Sequence, residues 1–248
     1  MQGYDVTGAV MGAATDFLTT GANAIFVGNN IRSAAVVNGT LVMAGTAGTG
    51  TGQPTTGGTR VAAGFVAGTT PSSSLYSGAV TNTREAQVWG SNVYWSSASG
   101  VASIFTSPLA SAAGTDIISA TNKPAGMSPY DFMFINGGAT LYVADDSTAN
   151  GGILKFTQNI SGTYDFAYRM ALPTSGGFLA TTTGARGIGF AAGTIYATTS
   201  QTTDIANQVV SSAATNERYR GLEVVPEPAS FAILGLGIAS LVARKRRQ

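Results

Sequence analysis

Four stretches of the chain share one pattern of apolar and polar residues. In each, apolar side chains alternate with polar or small ones, a Gly or Asn-Gly turn follows, and an apolar pair ends in Tyr or Val. The four stretches are residues 32–42, 84–94, 130–142 and 186–196. Alternation with a period of two predicts a half-buried strand, and Gly-containing pairs such as Asn-Gly are typical of tight turns. Each stretch therefore predicts a β-hairpin.

The stretches recur at a regular interval. They end at Val42, Tyr94, Tyr142 and Tyr196, which gives spacings of 52, 48 and 54 residues. Each interval leaves room for two more strands, and residues 152–157 and 164–172 supply them after the third hairpin. Four strands in about 50 residues is the size of a propeller blade.

We therefore predict an all-β body over residues 1–224 with propeller-like repeats, about four blades in all. The start of a fifth repeat, Arg220-Gly-Leu-Glu-Val, directly precedes the C-terminal segment. A two-sheet sandwich would need no repeat. A β-solenoid would be equally rich in Gly and Thr, but its rungs repeat at roughly 20–30 residues.

The last 24 residues, 225–248, break this pattern. Residues 229–243 carry no charge and only two polar side chains, both Ser. Counted from Pro226, the segment would form a helix of about 27 Å, close to the ~30 Å of a hydrocarbon core. A basic end follows, made of Arg244, Lys245, Arg246 and Arg247. Because such cations stay in the cytoplasm, the segment predicts one transmembrane helix with the body on the far side. Taken alone, the apolar run would also fit a buried core helix.

The order of these parts resembles the PEP-CTERM sorting tail of Gram-negative bacteria. The tripeptide of that tail would be Pro226-Glu227-Pro228, the helix residues 229–243 and the basic end residues 244–247. The resemblance implies an exosortase as partner, which cleaves near the tripeptide, and a link to exopolysaccharide production. It also implies a protein held in the inner membrane before processing and in the envelope or outside the cell afterwards.

The body resembles, more loosely, propeller-like surface proteins that carry this tail. The shared segments are Leu-Tyr-Val-Ala-Asp-Asp at residues 141–146 and Arg-Gly-Ile or Arg-Gly-Leu at residues 186–188 and 220–222. This resemblance implies no particular activity. Export would need a signal peptide, yet no basic residue precedes Arg32 and no suitable apolar segment is present. We therefore expect the sequence to be truncated at its N-terminus.

Composition excludes several chemistries. The chain has no His and no Cys, and only 10% of its residues are charged. A Ser-His-Asp triad, a thiolate nucleophile, a Cys/His zinc site and a disulfide are thereby ruled out. Residues 1–225 hold nine basic and eleven acidic residues, and the basic ones are scattered. Nucleic-acid binding needs clustered basic residues, so we expect no nucleic-acid partner, and we expect no cofactor.

Oxygen-rich residues suggest one candidate metal site. Asp145, Asp146 and Asn150 lie in a loop that ends in two glycines. Calcium takes six to eight oxygen ligands, so a partial calcium site is conceivable, although the spacing differs from that of a calcium-binding loop. The alternative is a polar turn held by Asp and Asn side chains.

Three further sets of residues have a functional and a structural interpretation. The repeated arginines, Arg32, Arg84, Arg186 and Arg220, could bind an anionic polysaccharide or could pair with neighbouring blades. The aromatic residues Trp89, Tyr94 and Trp95 could stack on sugar rings or fill the core. The carboxylates of Asp131 and Asp165 could form a glycosidase pair only if the fold brought them together.

These observations predict a non-enzymatic exported protein, targeted by a cleavable C-terminal signal, whose body is a structural or binding module of the envelope or exopolysaccharide matrix. One alternative is an exported polysaccharide-active enzyme. Another is a protein that stays anchored by a plain single membrane span.

Overall fold

The fold of the chain is given by a computed structural model. The structure describes residues 25–26, 31–46, 57–63, 73–78, 80, 82–110, 112, 114–148, 150–172, 184–191, 194–199, 202–205 and 208–212. These residues form sixteen β-strands and one short 3-10 helix, Asn136–Gly138. The strands are β1 Ile31–Val37, β2 Thr40–Gly45, β3 Arg60–Ala62, β4 Ser74–Leu75, β5 Thr83–Trp89, β6 Asn92–Ser97, β7 Ser103–Pro108, β8 Thr115–Asp116, β9 Pro129–Ile135, β10 Thr140–Asp145, β11 Gly152–Gln158, β12 Tyr164–Met170, β13 Ala185–Ala191, β14 Thr194–Thr199, β15 Thr202–Ile205 and β16 Gln208–Ser212.

The strands make four antiparallel sheets of four strands each. In every sheet the strands lie in chain order, β1 to β4, β5 to β8, β9 to β12 and β13 to β16. We call these the first, second, third and fourth sheets. Each is a meander in which every strand pairs with the one before it, so each sheet is a local unit of the chain. Within the described residues, the predicted all-β body is therefore confirmed.

The four predicted hairpins are the first two strands of the four sheets. Asn38 and Gly39 connect β1 to β2 with φ angles of 51° and 72°, the left-handed conformation that a two-residue hairpin turn requires. Asn136 and Gly137 have φ angles of 52° and 64° in the equivalent turn of the third sheet. The predicted outer strands of the third sheet are also present, as β11 and β12.

A β-bulge lies at the same repeat position in all four sheets. The pairing of the first strand with the second shifts register at Arg32 in the first sheet and at Arg186 in the fourth. In the second sheet Arg84 and Glu85 together lie opposite Ser96, and in the third Tyr130 and Asp131 lie opposite Ala144. A bulge re-aims the side chains at its position. This is where the alternating pattern of the sequence is interrupted.

The hydrophobic core is divided among neighbouring sheets. The cluster between the second and third sheets contains Ile104, Phe132, Leu154 and Phe156, all nearly inaccessible to solvent. The cluster between the first and second sheets is built around Trp95. The cluster between the third and fourth sheets contains three alanines, Ala144, Ala185 and Ala197, beside Tyr142, Ile153 and Ile188. A further small cluster lies under the first sheet.

The described residues settle the fold at the level of four small antiparallel sheets. A closed propeller is not found among them, and none of their helices is long and apolar enough to cross a membrane. The predicted transmembrane helix, residues 229–243, and the fifth repeat beginning at Arg220 lie outside the described residues. So do the whole sorting tripeptide and the basic end.

Candidate functional site

Within the body, polar side chains at one repeat position connect successive sheets. The position is the second residue of the bulge and is held by Ser33, Glu85 and Asp131 in the first three sheets, and by Gly187, which has no side chain, in the fourth. Ser33 Oγ accepts a hydrogen bond from the backbone N–H of Ala86 in the second sheet, at 2.8 Å. Asp131 Oδ2 accepts one from the backbone N–H of Ile188 in the fourth sheet, at 2.9 Å. The bulge turns these side chains toward the adjacent first strand.

The two carboxylates of this row are close enough to influence each other. Burial, together with the negative charge of Asp131, raises the pKa of Glu85 to about 8, against hydrogen bonds from Ala86 and Ser33 that favour its ionised form. Burial raises the pKa of Asp131 to about 7, although the N–H groups of Ile188 and Phe132 favour its ionised form. Such an interacting pair titrates as a unit, and near neutral pH it shares protons that ordinary carboxyls have lost.

A second polar cluster joins the second, third and fourth sheets around Asp146. The carboxylate of Asp146 accepts a 2.7 Å hydrogen bond from Arg84 and lies 3.3 Å from Arg186 Nε. Both guanidinium groups also lie over the ring of Tyr130, at 4.9 and 5.4 Å from its centroid. Ser128 donates its hydroxyl hydrogen to the same carboxylate, at 2.6 Å. We call these residues the Asp146 cluster.

The described arginines follow the structural interpretation. Arg84 and Arg186 belong to the Asp146 cluster, and Arg32 donates to Asn82 Oδ1 and to the carbonyl oxygen of Thr83 in the second sheet. Pairing with neighbouring sheets, one of the two alternatives, is therefore confirmed for these three side chains. Arg220 lies outside the described residues.

The proposed calcium ligands lie at the end of β10 and in the loop that follows it. Asp145 accepts hydrogen bonds from the backbone N–H groups of Ser128 and Ser147, at 2.7 and 2.9 Å. Asp146 is engaged with the two arginines, and Asn150 is exposed. Among the described residues, no group of three or more acidic, His or Cys side chains is arranged to hold a metal ion. Calcium binding at these three residues stays an untested prediction.

The three candidate sugar-stacking residues differ in accessibility. Trp95 and Tyr94 are core residues, at 1% and 8% exposure, whereas Trp89 at the tip of β5 is 41% exposed. The Trp89 ring stacks on Phe134 of the third sheet, with centroids 5.1 Å apart and planes 20° from parallel. The Cα of Gly138 lies so close to the ring that a Cβ there would be 2.3 Å from it. Trp89 is thus a fixed aromatic surface that is partly open to solvent.

The proposed glycosidase pair is not brought together. Asp131 is on β9 and Asp165 on β12, which are the two edges of the third sheet. Three strand spacings of about 4.8 Å separate them by roughly 14 Å, more than the ~6.5–9.5 Å of an inverting pair. The carboxyl whose pKa is raised by the charge of Asp131 is Glu85, on a different sheet. Aligning the four repeats places Glu85 and Asp131 at the same repeat position, directly after Arg84 and Tyr130.

The comparisons with known proteins concern the other end of the chain. A family model described as the PEP-CTERM protein-sorting motif matches residues 224–247. The chain carries a PEP-CTERM sorting motif. The match covers the tripeptide, the apolar segment and the basic end, as the sequence predicted. No curated protein matches the chain.

The PEP-CTERM motif assigns the protein's destination. It identifies an exported protein with a C-terminal sorting signal, which is secreted or targeted to the cell envelope. It also implies processing by an exosortase. The polar residues of the body are a separate feature, which the motif does not explain.

Proposed function

We propose that the protein is a non-enzymatic surface or matrix component of a Gram-negative bacterium. In this proposal a propeller-like body is exported, held in the inner membrane by the helix of residues 229–243, and separated from its tail by an exosortase. The match of the sorting motif to residues 224–247 carries the proposal. The consecutive four-stranded meanders with a shared bulge position support successive blades.

The sorting step is tested by following the tail. The protein is expressed behind a native export signal, with one epitope before Pro226 and another after Gln248, in cells with and without an exosortase. We expect the C-terminal epitope to be lost from the mature protein only where the enzyme is present. Joint replacement of Pro226 and Pro228 by Ala should block this loss, whereas Ser230→Ala, in the apolar segment, should not.

Fractionation distinguishes the alternative of a plain membrane anchor. If both epitopes stay together in the membrane fraction irrespective of the exosortase, the sorting proposal is wrong and the single-span anchor is favoured. The alternative of a polysaccharide-active enzyme remains a prediction. Its test is hydrolysis of isolated exopolysaccharide, with loss of that hydrolysis in Glu85→Gln or Asp131→Asn.

One observation favours polysaccharide as the ligand of the body. Trp89 offers an aromatic face that Phe134 and Gly138 hold in place, so binding would require little ordering of the side chain. Exposed aromatic rings suit the apolar face of a pyranose. We expect Trp89→Ala to reduce retention on immobilised exopolysaccharide at least about tenfold. The control is Tyr168→Ala, which removes another exposed aromatic ring, on β12. Equal retention of the wild type and Trp89→Ala would exclude this site.

A further inference from the structure

The row of Ser33, Glu85 and Asp131 forms one polar connection through all four sheets. Ser33 of the first sheet binds the backbone of the second, and it also hydrogen-bonds the carboxyl of Glu85. Asp131 of the third sheet binds the backbone of the fourth. Glu85 and Asp131 form the middle of this row, because Ser96 accepts the backbone N–H of Glu85 and donates to the carbonyl oxygen of Tyr130, the residue before Asp131. A change in their charge therefore acts at the centre of the packed sheets.

Among the described residues of the surrounding strands, each cation is engaged by another group rather than by these two carboxylates. On β1, Arg32 is bound to Asn82, and on β5 and β13, Arg84 and Arg186 are held by Asp146. The strands β2 and β6 contribute no Asp, Glu, Lys or Arg. On β10, Asp145 is bound to backbone N–H groups, and its own pKa is raised by burial. The remaining titratable groups on these strands are the phenols of Tyr94, Tyr130 and Tyr142.

We infer that Glu85 and Asp131 form a proton-sharing clasp that couples the packing of the four sheets to external pH. While the pair holds a proton, it carries at most one negative charge, and the backbone and hydroxyl donors around it can satisfy that charge. When both groups ionise, two uncompensated charges face each other between the second and third sheets, and the sheets separate more easily. An exported protein meets the pH of its surroundings, so the clasp would respond to acidification outside the cell.

The direction of the pH effect follows from the folded and unfolded states. The folded pair keeps protons up to about pH 7–8, whereas in the unfolded chain ordinary carboxyls release them near pH 4. Between those values the folded state binds more protons than the unfolded state. The stabilisation is therefore complete below about pH 4 and is lost as the pH rises through 7 to 8.

The composition makes this effect easy to isolate. The chain has no His and no Cys, so few other groups titrate between pH 5 and pH 9. The experiment measures the melting temperature of the full chain in detergent over that range. We expect the wild type to lose at least about 5 °C from pH 5 to pH 9.

Neutral variants provide the decisive comparison. Glu85→Gln and Asp131→Asn should each remove part of the pH dependence and the double variant most of it, because burial raises the pKa of each carboxyl in addition to the charge of its neighbour. Asp165→Asn, on the outer strand β12, should keep the wild-type profile. A wild-type melting temperature that is constant from pH 5 to pH 9, or an unchanged slope in Glu85→Gln, would overturn the clasp.

A titration of the wild type tests the clasp even if a variant fails to fold. Carbon-13 NMR of labelled Glu and Asp carboxyls should show at least two groups that titrate above pH 6. If every carboxyl titrates below pH 5, the clasp does not exist. This result is independent of the sorting signal, so failure of the proposed export function would leave it unchanged.

Discussion

At the scale of single residues, the immediate neighbours of each tryptophan determine whether its side chain is buried. Trp95 and Trp89 lie six positions apart on β6 and β5, yet the first is fully buried and the second half-exposed. Trp89 keeps its orientation because Phe134 covers one face and the backbone of Gly138 approaches its edge. Gly138 has a φ of 95°, in the region that favours glycine. A side chain at this position would therefore meet both a strained backbone and the indole ring.

Gly138→Ala and Gly137→Ala separate these two effects. Gly137 has a φ of 64° with nothing within 4 Å of an added Cβ, so alanine there should cost only the strain of a left-handed backbone, about 1–2 kcal/mol. At Gly138 the added Cβ would overlap the Trp89 ring, and we expect a further ~1–3 kcal/mol. Denaturant unfolding measures both values, and Trp89 fluorescence should shift only for Gly138→Ala. Equal losses of stability in the two variants would contradict the close contact.

At the scale of the strand, the residue opposite each bulge brings a hydroxyl group that needs hydrogen-bond partners. The second and fourth sheets differ in whether that hydroxyl has them. In the second sheet Ser96 lies opposite the bulge, accepts the N–H of Glu85 at 3.1 Å and donates to the carbonyl oxygen of Tyr130 in the third sheet. Thr198 occupies the same position in the fourth sheet and is 1% exposed. Its hydroxyl has no hydrogen-bond partner within the described part of the chain. A hydroxyl at the same repeat position is therefore expected to stabilise the second sheet and to destabilise the fourth.

Ser96→Ala and Thr198→Val should change stability in opposite directions. Removing the Ser96 hydroxyl leaves a buried N–H and a buried carbonyl oxygen unpaired, at a cost of about 1–3 kcal/mol. Replacing Thr198 by Val keeps the shape and removes an unpaired buried hydroxyl, so we expect no loss and a gain of up to about 1 kcal/mol. Thermal unfolding at pH 6 compares them. A clear destabilisation of Thr198→Val would show that its hydroxyl has a partner.

At the scale of the whole molecule, the sequence predicts local order better than the arrangement of the sheets. Alternation and Asn-Gly turns are local properties, which is why the four hairpins and the strands β11 and β12 were found. The pair Glu85 and Asp131 was missed because the two residues are 46 positions apart and meet only when sheets pack. The sorting motif was found because all of its parts lie in one continuous stretch of sequence. How the four sheets pack against one another depends on contacts between residues far apart in sequence, which no local pattern specifies.

The division of the core between neighbouring sheets predicts that damage at one interface stays local. Ile153 and Leu154 are adjacent on β11 and point to opposite faces, so Ile153 packs toward the fourth sheet and Leu154 toward the second. Both are buried, so either alanine substitution should lower the free energy of unfolding by about 2–5 kcal/mol.

Their effects on amide hydrogen exchange should differ, because sheets that contact only their neighbours open separately. Ile153→Ala should accelerate exchange mainly in β13 and β14, and Leu154→Ala mainly in β6 and β7. Uniform acceleration across all four sheets in both variants would instead mean that the body unfolds as one cooperative unit, with the interfaces between sheets as strong as the sheets themselves.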